Sequence, residues 1–324
     1  MRLLLAVSIM LSSAMSFVAH GADADYPNRP IRLVVPYPPG AGTDATARIV
    51  AEALSKQLGQ SVVVENKPGA SGVIGTDFVA KSPADGYTLL WTSTDSMSTV
   101  PALRTKIPYR VPGDFTYIAK VAETGMSLAI APKIPAKTVA EFVAYAKANP
   151  GKLSYGSSGT GGMPHLATLL FAKYADIKMV HVPYKGIAAA MTDLLGGQLD
   201  FVLLTPVTIV PYLNSDKMRV IGITAPTRSP MLPNAPTIKE AGYPQATATV
   251  WYGLFGPANL PANVVDRLHK EIAIVAQQPA VRDKMAQAGL EMNTLIGDDF
   301  VKSAATEYAQ WQALGKAENL QIDE

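Results

Sequence analysis

Two glycine-rich stretches hold the residues best placed to do chemistry. The first is Pro36-Tyr37-Pro38-Pro39-Gly40-Ala41-Gly42-Thr43-Asp44; the second is Tyr155-Gly156-Ser157-Ser158-Gly159-Thr160-Gly161-Gly162-Met163-Pro164-His165. Each follows a β-rich run and precedes a helical pattern. Glycine lets the backbone approach a ligand closely. The first N–H groups of a helix have no partner within it and mark the positive end of its dipole, so they suit a small anion. Neither stretch contains Lys or Arg. A carboxylate held there would meet backbone N–H groups, hydroxyls and waters. For the first stretch alone, a turn whose path is fixed by proline, with Thr43 or Asp44 capping the helix, is an equal reading. Two such stretches, one in each half of the chain, make the stronger signal.

Two enzymatic readings compete. Gly40-Ala41-Gly42-Thr43-Asp44-Ala45 fits the G-x-G-x-x-A pattern of dinucleotide sites, with Glu65 falling 20 residues beyond Ala45. That pattern would suit an NAD(P)-dependent oxidoreductase. Against it, residues 36–39 separate the strand from the glycines, whereas the dinucleotide turn follows its strand at once. A serine hydrolase would need G-x-S-x-G, but in Gly156-Ser157-Ser158-Gly159-Thr160 a threonine takes the last position. The chain has no cysteine, which excludes thiol catalysis and Cys-based zinc sites. His165, His181 and His269 are far apart in sequence and lack metal-ligand spacing. No metal and no cofactor is expected. With 28 basic and 26 acidic residues there is no electrostatic footprint for nucleic acid.

The elements that must position these stretches alternate in type. Residues 31–35, 61–65 and 88–92 read as strands, with amphipathic helices over 43–58 and 72–81 between them. A second series restarts after Phe115, with strands at 127–131, 153–156, 179–182, 200–204 and 219–224 and helices at 139–148, 162–174 and 187–195. This order predicts an α/β fold of two lobes, each a mostly parallel sheet flanked by helices. Residues 251–257 read as an extended return ahead of two C-terminal helices. The aromatics of the last helix read as core anchors, and Asp298 and Asp299 as its N-cap. The expected division is 25–121 plus 250–324 for the first lobe and 122–249 for the second.

The N-terminus begins Met1-Arg2, continues with apolar and small residues over 3–18, and offers small-residue cleavage patterns at Ala19-His20-Gly21 and Ala22-Asp23-Ala24. This order reads as a cleavable secretory signal peptide over residues 1–24 rather than a membrane span, which needs a longer apolar run. Export also argues against a pyridine nucleotide.

Several segments, taken together, resemble a known family. Tyr26-Pro27-Asn28-Arg29-Pro30-Ile31, Pro38-Pro39-Gly40-Ala41-Gly42-Thr43-Asp44, Val64-Glu65-Asn66-Lys67-Pro68-Gly69, Asp85-Gly86-Tyr87-Thr88, His181-Val182-Pro183-Tyr184-Lys185-Gly186, Asp193-Leu194-Leu195-Gly196-Gly197 and Trp251-Tyr252-Gly253-Leu254 look like successive signatures of the Bug family. These are the TctC-like periplasmic receptors of tripartite tricarboxylate transporters. The resemblance implies a Venus-flytrap, periplasmic-binding-protein fold whose cleft takes a small organic carboxylate. It implies a monomer that hands its ligand to the transporter's membrane subunits or to a sensor kinase ectodomain.

The ligand-binding residues it implies are Tyr37, Pro39, Gly40, Ala41, Gly42, Thr43 and Asp44 from the first loop, and Ser93 and Thr94 after the third strand. From the second loop come Ser157, Ser158, Gly159, Thr160, Gly161 and His165, with Leu204 and Thr205 at the far end of the cleft. Three positions depart from the family's usual pattern. Ala41 replaces a common glycine, Met97 stands where histidine is frequent, and Leu204-Thr205 stands where Asp-Asn often occurs. An apolar Leu204 in the cleft would favour plain mono- or dicarboxylates over amino acids, because an ammonium there would be desolvated without a partner.

Overall fold

The computed structural model describes residues 26–40, 42–184 and 186–320. The expected signal segment, residues 1–24, lies outside the described residues, as do Ala41 and Lys185. The first half runs β1 (Ile31–Val35), α1 (Gly42–Leu58), β2 (Val62–Asn66), α2 (Val73–Ala80), β3 (Thr88–Ser93), α3 (Val100–Leu103) and β4 (Phe115–Gly125). The second runs β5 (Ser127–Ile130), α4 (Val139–Ala148), β6 (Ser154–Ser157), α5 (Met163–Ala175), β7 (Val180–Pro183), α6 (Ile187–Leu195), β8 (Phe201–Leu204), α7 (Pro206–Ile209) and β9 (Arg219–Ile223). The chain closes with β10 (Thr249–Pro257), α8 (Ala262–Gln277), α9 (Pro279–Gln287), β11 (Glu291–Ile296) and α10 (Asp298–Ala317).

These strands form a six-stranded sheet, ordered β11-β4-β10-β3-β1-β2, and a five-stranded sheet, ordered β7-β6-β8-β5-β9. In the first sheet β1 is parallel to β2 and β3, while β10 and β11 pair antiparallel. In the second, β6 is parallel to β7 and β8, while β5 pairs antiparallel with β8 and β9. Both sheets are therefore mixed, where the strand–helix alternation led us to expect mostly parallel ones. The returning strand β10 causes the difference in the first sheet: it lies between β3 and β4 and runs antiparallel to both, and β11 runs antiparallel to β4.

Period-two alternation assigns the faces. Ile31, Leu33 and Val35 of β1 pack with Ala47, Val50 and Leu54 of α1, while Val34 packs on the opposite face with Val73 and Val79 of α2. With helices on opposite faces and β1 between β2 and β3, the β1/β3 gap is a topological switch point, where ligands of open α/β sheets bind. The second sheet repeats the arrangement. Phe201 and Leu203 of β8 face α5, Val202 and Leu204 face α6, and the gap lies between β6 and β8. Each glycine-rich loop thus leaves the strand beside a switch point.

Two strands connect the sheets. The chain passes from β4 to β5 through Met126 alone and returns into β10 through Ala248. Thr224 ties both passages together. Its hydroxyl accepts the Met126 N–H at 2.8 Å and donates to the Ala248 carbonyl at 2.6 Å. Gly125 is required at this crossing, since a Cβ there would sit 2.4 Å from the Ala225 nitrogen. Helices α8 and α9 pack on the first sheet. Helix α10 spans both cores: Phe300 and Ala304 join the first sheet's cluster, and Trp311 and Leu314 join the second's. Its N-cap is Gly297, without a side-chain cap bond. Asp298 and Asp299 lie in the first turn instead, where their charge favours the helix dipole.

Candidate functional site

The first loop is closed by Asp44. Its carboxylate accepts the Gly40 N–H at 2.9 Å, Nε and a terminal nitrogen of Arg48 at 3.0 Å each, and Nδ2 of Asn66 at 2.8 Å. Burial opposes the charge, but these donors outweigh it and hold the carboxyl near a pKa of about 2. Asn66, at the end of β2, also donates to the Tyr37 carbonyl at 3.0 Å, so the loop is stapled at two points. Gly40 adopts φ +81°, which only glycine takes without strain. Asp44 is therefore committed to loop shape, and the Gly40 N–H to Asp44. Pro39, Gly40 and Gly42 are exposed, and Thr43 is buried with its carbonyl accepting Thr46 Oγ1.

The second loop is built on a stack of rings. Tyr155, His181 and His165 lie nearly parallel, with centroids 4.9 Å apart for the first pair and 3.9 Å for the second. Gly161, at φ +80°, donates its N–H to His165 Nδ1 at 3.1 Å, which leaves the imidazole proton on Nε2. Burial, and then the neighbouring His181, push the His165 pKa down to about 3, and burial lowers His181 as well. Both rings are neutral. Ser157 Oγ lies 2.7 Å from His181 Nε2 and accepts the Gly159 N–H at 3.1 Å. Ser157 is fully buried, so the serine–histidine contact is a packing element with no nucleophile open to substrate. Ser158 and Thr160 are the exposed hydroxyls of this loop.

The two loops converge on the end of β3. Ser93 Oγ donates to the Tyr37 hydroxyl at 3.4 Å. Thr94 is fully buried, with Oγ1 accepting the Trp251 N–H at 2.9 Å. Asp95 follows. Its carboxylate accepts the Met163 N–H at the start of α5, and Thr99 Oγ1 donates to it at 3.3 Å. One residue of the first sheet's half thus reaches the helix start of the second. Burial raises the hydroxyl pKa values of Tyr37 and Tyr252, and the Asp95 charge raises both further. Tyr252 closes the ring from β10: a Cβ on Gly42 would stand 3.1 Å from its hydroxyl.

Not every expected residue reaches this place. Leu204 is 1% exposed and packs with Ala190, Met191 and Leu194 of α6, so it presents no surface to a ligand. The ligand preference argued from it loses its basis. Thr205 is partly exposed at the start of α7, with its hydroxyl 2.9 Å from that of Thr208. Met97 is likewise core. The sequence reading missed Asp95, His181, Tyr252 and the Met163 N–H. Asp95 directly follows the expected Ser93 and Thr94, and His181 lies inside a quoted motif, but only the fold brings them to the loops. Glu65 is paired with Arg32 at 3.1 Å and Lys67 at 2.7 Å, which leaves it committed where a dinucleotide site needs a ribose acceptor. Among the described residues no His, Cys, Asp or Glu cluster could hold a metal ion, and no helix is long and apolar enough to cross a membrane.

Comparison with known proteins agrees with this geometry. The family model described as the tripartite tricarboxylate transporter family receptor matches residues 46–320. Protein BugT of Bordetella pertussis is 34% identical over 96% of this chain and 95% of its own. A Rhodopseudomonas palustris protein solved with adipate, Rpa4515, is 31% identical with a TM-score of 0.79, over 92% of this chain and 99% of that one. MatC of the same organism, solved with malate, is 29% identical with a TM-score of 0.72, over 89% and 99%. These similarities displace the oxidoreductase reading of the Gly40-Ala41-Gly42 turn. With its two mixed sheets and paired switch-point loops, the chain belongs to the tripartite tricarboxylate transporter receptor family, whose members are periplasmic solute-binding proteins and not enzymes.

Proposed function

We propose that this protein captures a small organic carboxylate between the Tyr37–Asp44 and Ser157–His165 loops and delivers it to the membrane subunits of a tripartite transporter. A sensor ectodomain would be the recipient if the output is signalling. The observation that carries this reading is the convergence of both loops on Tyr37, Asp95 and the start of α5. Donors from the two sheets meet there without a lysine or arginine in either loop. Adipate in one relative and malate in another support the ligand class. In this reading residues 1–24 direct export and are removed, and the mature chain acts as a monomer. One lobe comprises residues 25–121 and 250–324, the other 122–249, and they close on the ligand, because a ligand touching both gains contacts only in the closed form.

Native mass spectrometry of the protein isolated from its own host identifies any co-purifying acid. X-ray scattering with and without that acid should show a smaller radius of gyration when bound. An unchanged radius at confirmed saturation, or no acid binding at all, would reject the reading.

A further inference from the structure

Asp95 occupies the place where a second ligand carboxylate would be expected. The start of α5 is the anion-favouring end of a 13-residue helix, yet its first N–H is already held by an internal carboxylate. Asp95 has other neighbours, all neutral: Thr99 Oγ1 at 3.3 Å, and the hydroxyls of Tyr37 and Tyr252, both of which feel its charge. Among the described residues no cation stands beside it, and burial without one raises its pKa to about 6. Asp44, the other acid near the loops, is neutralised by Arg48. The cleft thus carries one uncompensated negative charge that keeps part of its surface open.

On the reading that the cleft binds carboxylates, we propose that Asp95 determines specificity: the preferred ligand is an acid that also carries an ammonium group, which pairs with Asp95 while its carboxylate is held by neutral donors of the loops. A second carboxylate at that position would meet like charge in a poorly solvated place. An ammonium would instead supply the cation the site lacks and form a charge-assisted hydrogen bond. The preference is opposite to the one expected from an apolar Leu204, because Leu204 is in the core and Asp95 is in the cleft.

Calorimetry on the full mature chain at pH 8 tests this with matched pairs: succinate against aspartate, glutarate against glutamate, and adipate against 2-aminoadipate. The amino acid of the best-binding pair should bind about tenfold tighter or more, the usual worth of one charge-assisted bond. In Asp95→Asn that preference should vanish or reverse, with the plain acid gaining affinity. Equal or tighter binding of the plain acid by the wild-type chain overturns the inference and leaves carboxylate binding intact. No binding of any of the six acids, nor of any acid in a wider thermal-shift panel, rejects carboxylate binding itself and the inference with it. If Asp95→Asn does not fold, Asp95→Ser and the wild-type pairs still decide.

Discussion

The imidazole rings of His165 and His181 stack with centroids 3.9 Å apart and planes 10° apart. Two cations could not share that contact, and the ring stack with Tyr155 leaves little water to solvate either. His165 therefore stays neutral, with its pKa pushed to about 3, well below its ordinary value of 6.5. The unfolded chain binds a proton near pH 6.5 and the folded chain does not, so stability is intact above that pH and is lost as pH falls below it. By pH 5 the loss from His165 alone should reach about 2 kcal/mol. Urea melts at pH 7.5 and 5.0 for wild type and His165→Gln check this. The substitution should shrink the acid-induced loss; an unchanged difference would show that the ring titrates normally.

The Asp44 clamp predicts a different pH window. Its folded pKa of about 2 lies below the ordinary 3.8, so its contribution is full above about pH 4 and disappears as pH falls toward 2. At neutral pH, Asp44→Ala removes the shared partner of Gly40, Arg48 and Asn66 and should cost about 2–3 kcal/mol in urea melts. Arg48→Ala touches only the exposed end of the pair and should cost about 1 kcal/mol or less. The two values coinciding would mean that the loop does not depend on Asp44.

Much of the architecture was legible because its signals are local. Strand runs such as Ile31–Val35 alternate cleanly between two cores, and α4 ends at Asn149-Pro150-Gly151 just as those residues dictate. The paired loops could be read from glycine and hydroxyl content. What could not be read depends on non-local placement. β11 (Glu291–Ile296) pairs with β4 across a large sequence separation, and its half-exposed residues lack a strand's clean alternation. The placement of Leu204 and the absence of Asp95 from the expected site have a related reason. Whether a residue at a strand end faces the core or the cleft is decided by the face on which a helix packs, here α6 for Leu204.

Gly161 separates local strain from global stability. Its φ of +80° disfavours any side chain, and its N–H fixes the His165 tautomer. Gly161→Ala should lower stability by about 1–2 kcal/mol, the cost of the left-handed conformation. It should also weaken acid binding, because the loop between Ser158 and His165 would relax. Thr160→Val leaves the backbone alone and removes one exposed hydroxyl, so it should weaken binding with no loss of melting temperature. Calorimetry and melting curves on both variants test the distinction. Unchanged affinity in both would place the ligand away from this loop.

On the face of β10 opposite Tyr252, Glu307 of α10 accepts the indole N–H of Trp251 and, at 3.1 Å, that of Trp311. Helix α10 spans both cores, so this carboxyl stands between the two halves. Burial raises its pKa to about 7; the indole bonds and Lys120 oppose the rise, and Glu123 adds to it. Lys120 and Glu123 pair with each other at 2.6 Å, which leaves little of the lysine's charge for Glu307. The folded chain therefore binds a proton on Glu307 more tightly than the unfolded chain does. This contribution to stability is full below about pH 4.5 and is lost as pH rises through 7. Because two indoles report on one carboxyl, tryptophan fluorescence should titrate near pH 7 in the wild type. In Glu307→Gln, which cannot ionise and keeps one acceptor oxygen for the indoles, the step should be absent. A step that persists in the variant would assign it to another group.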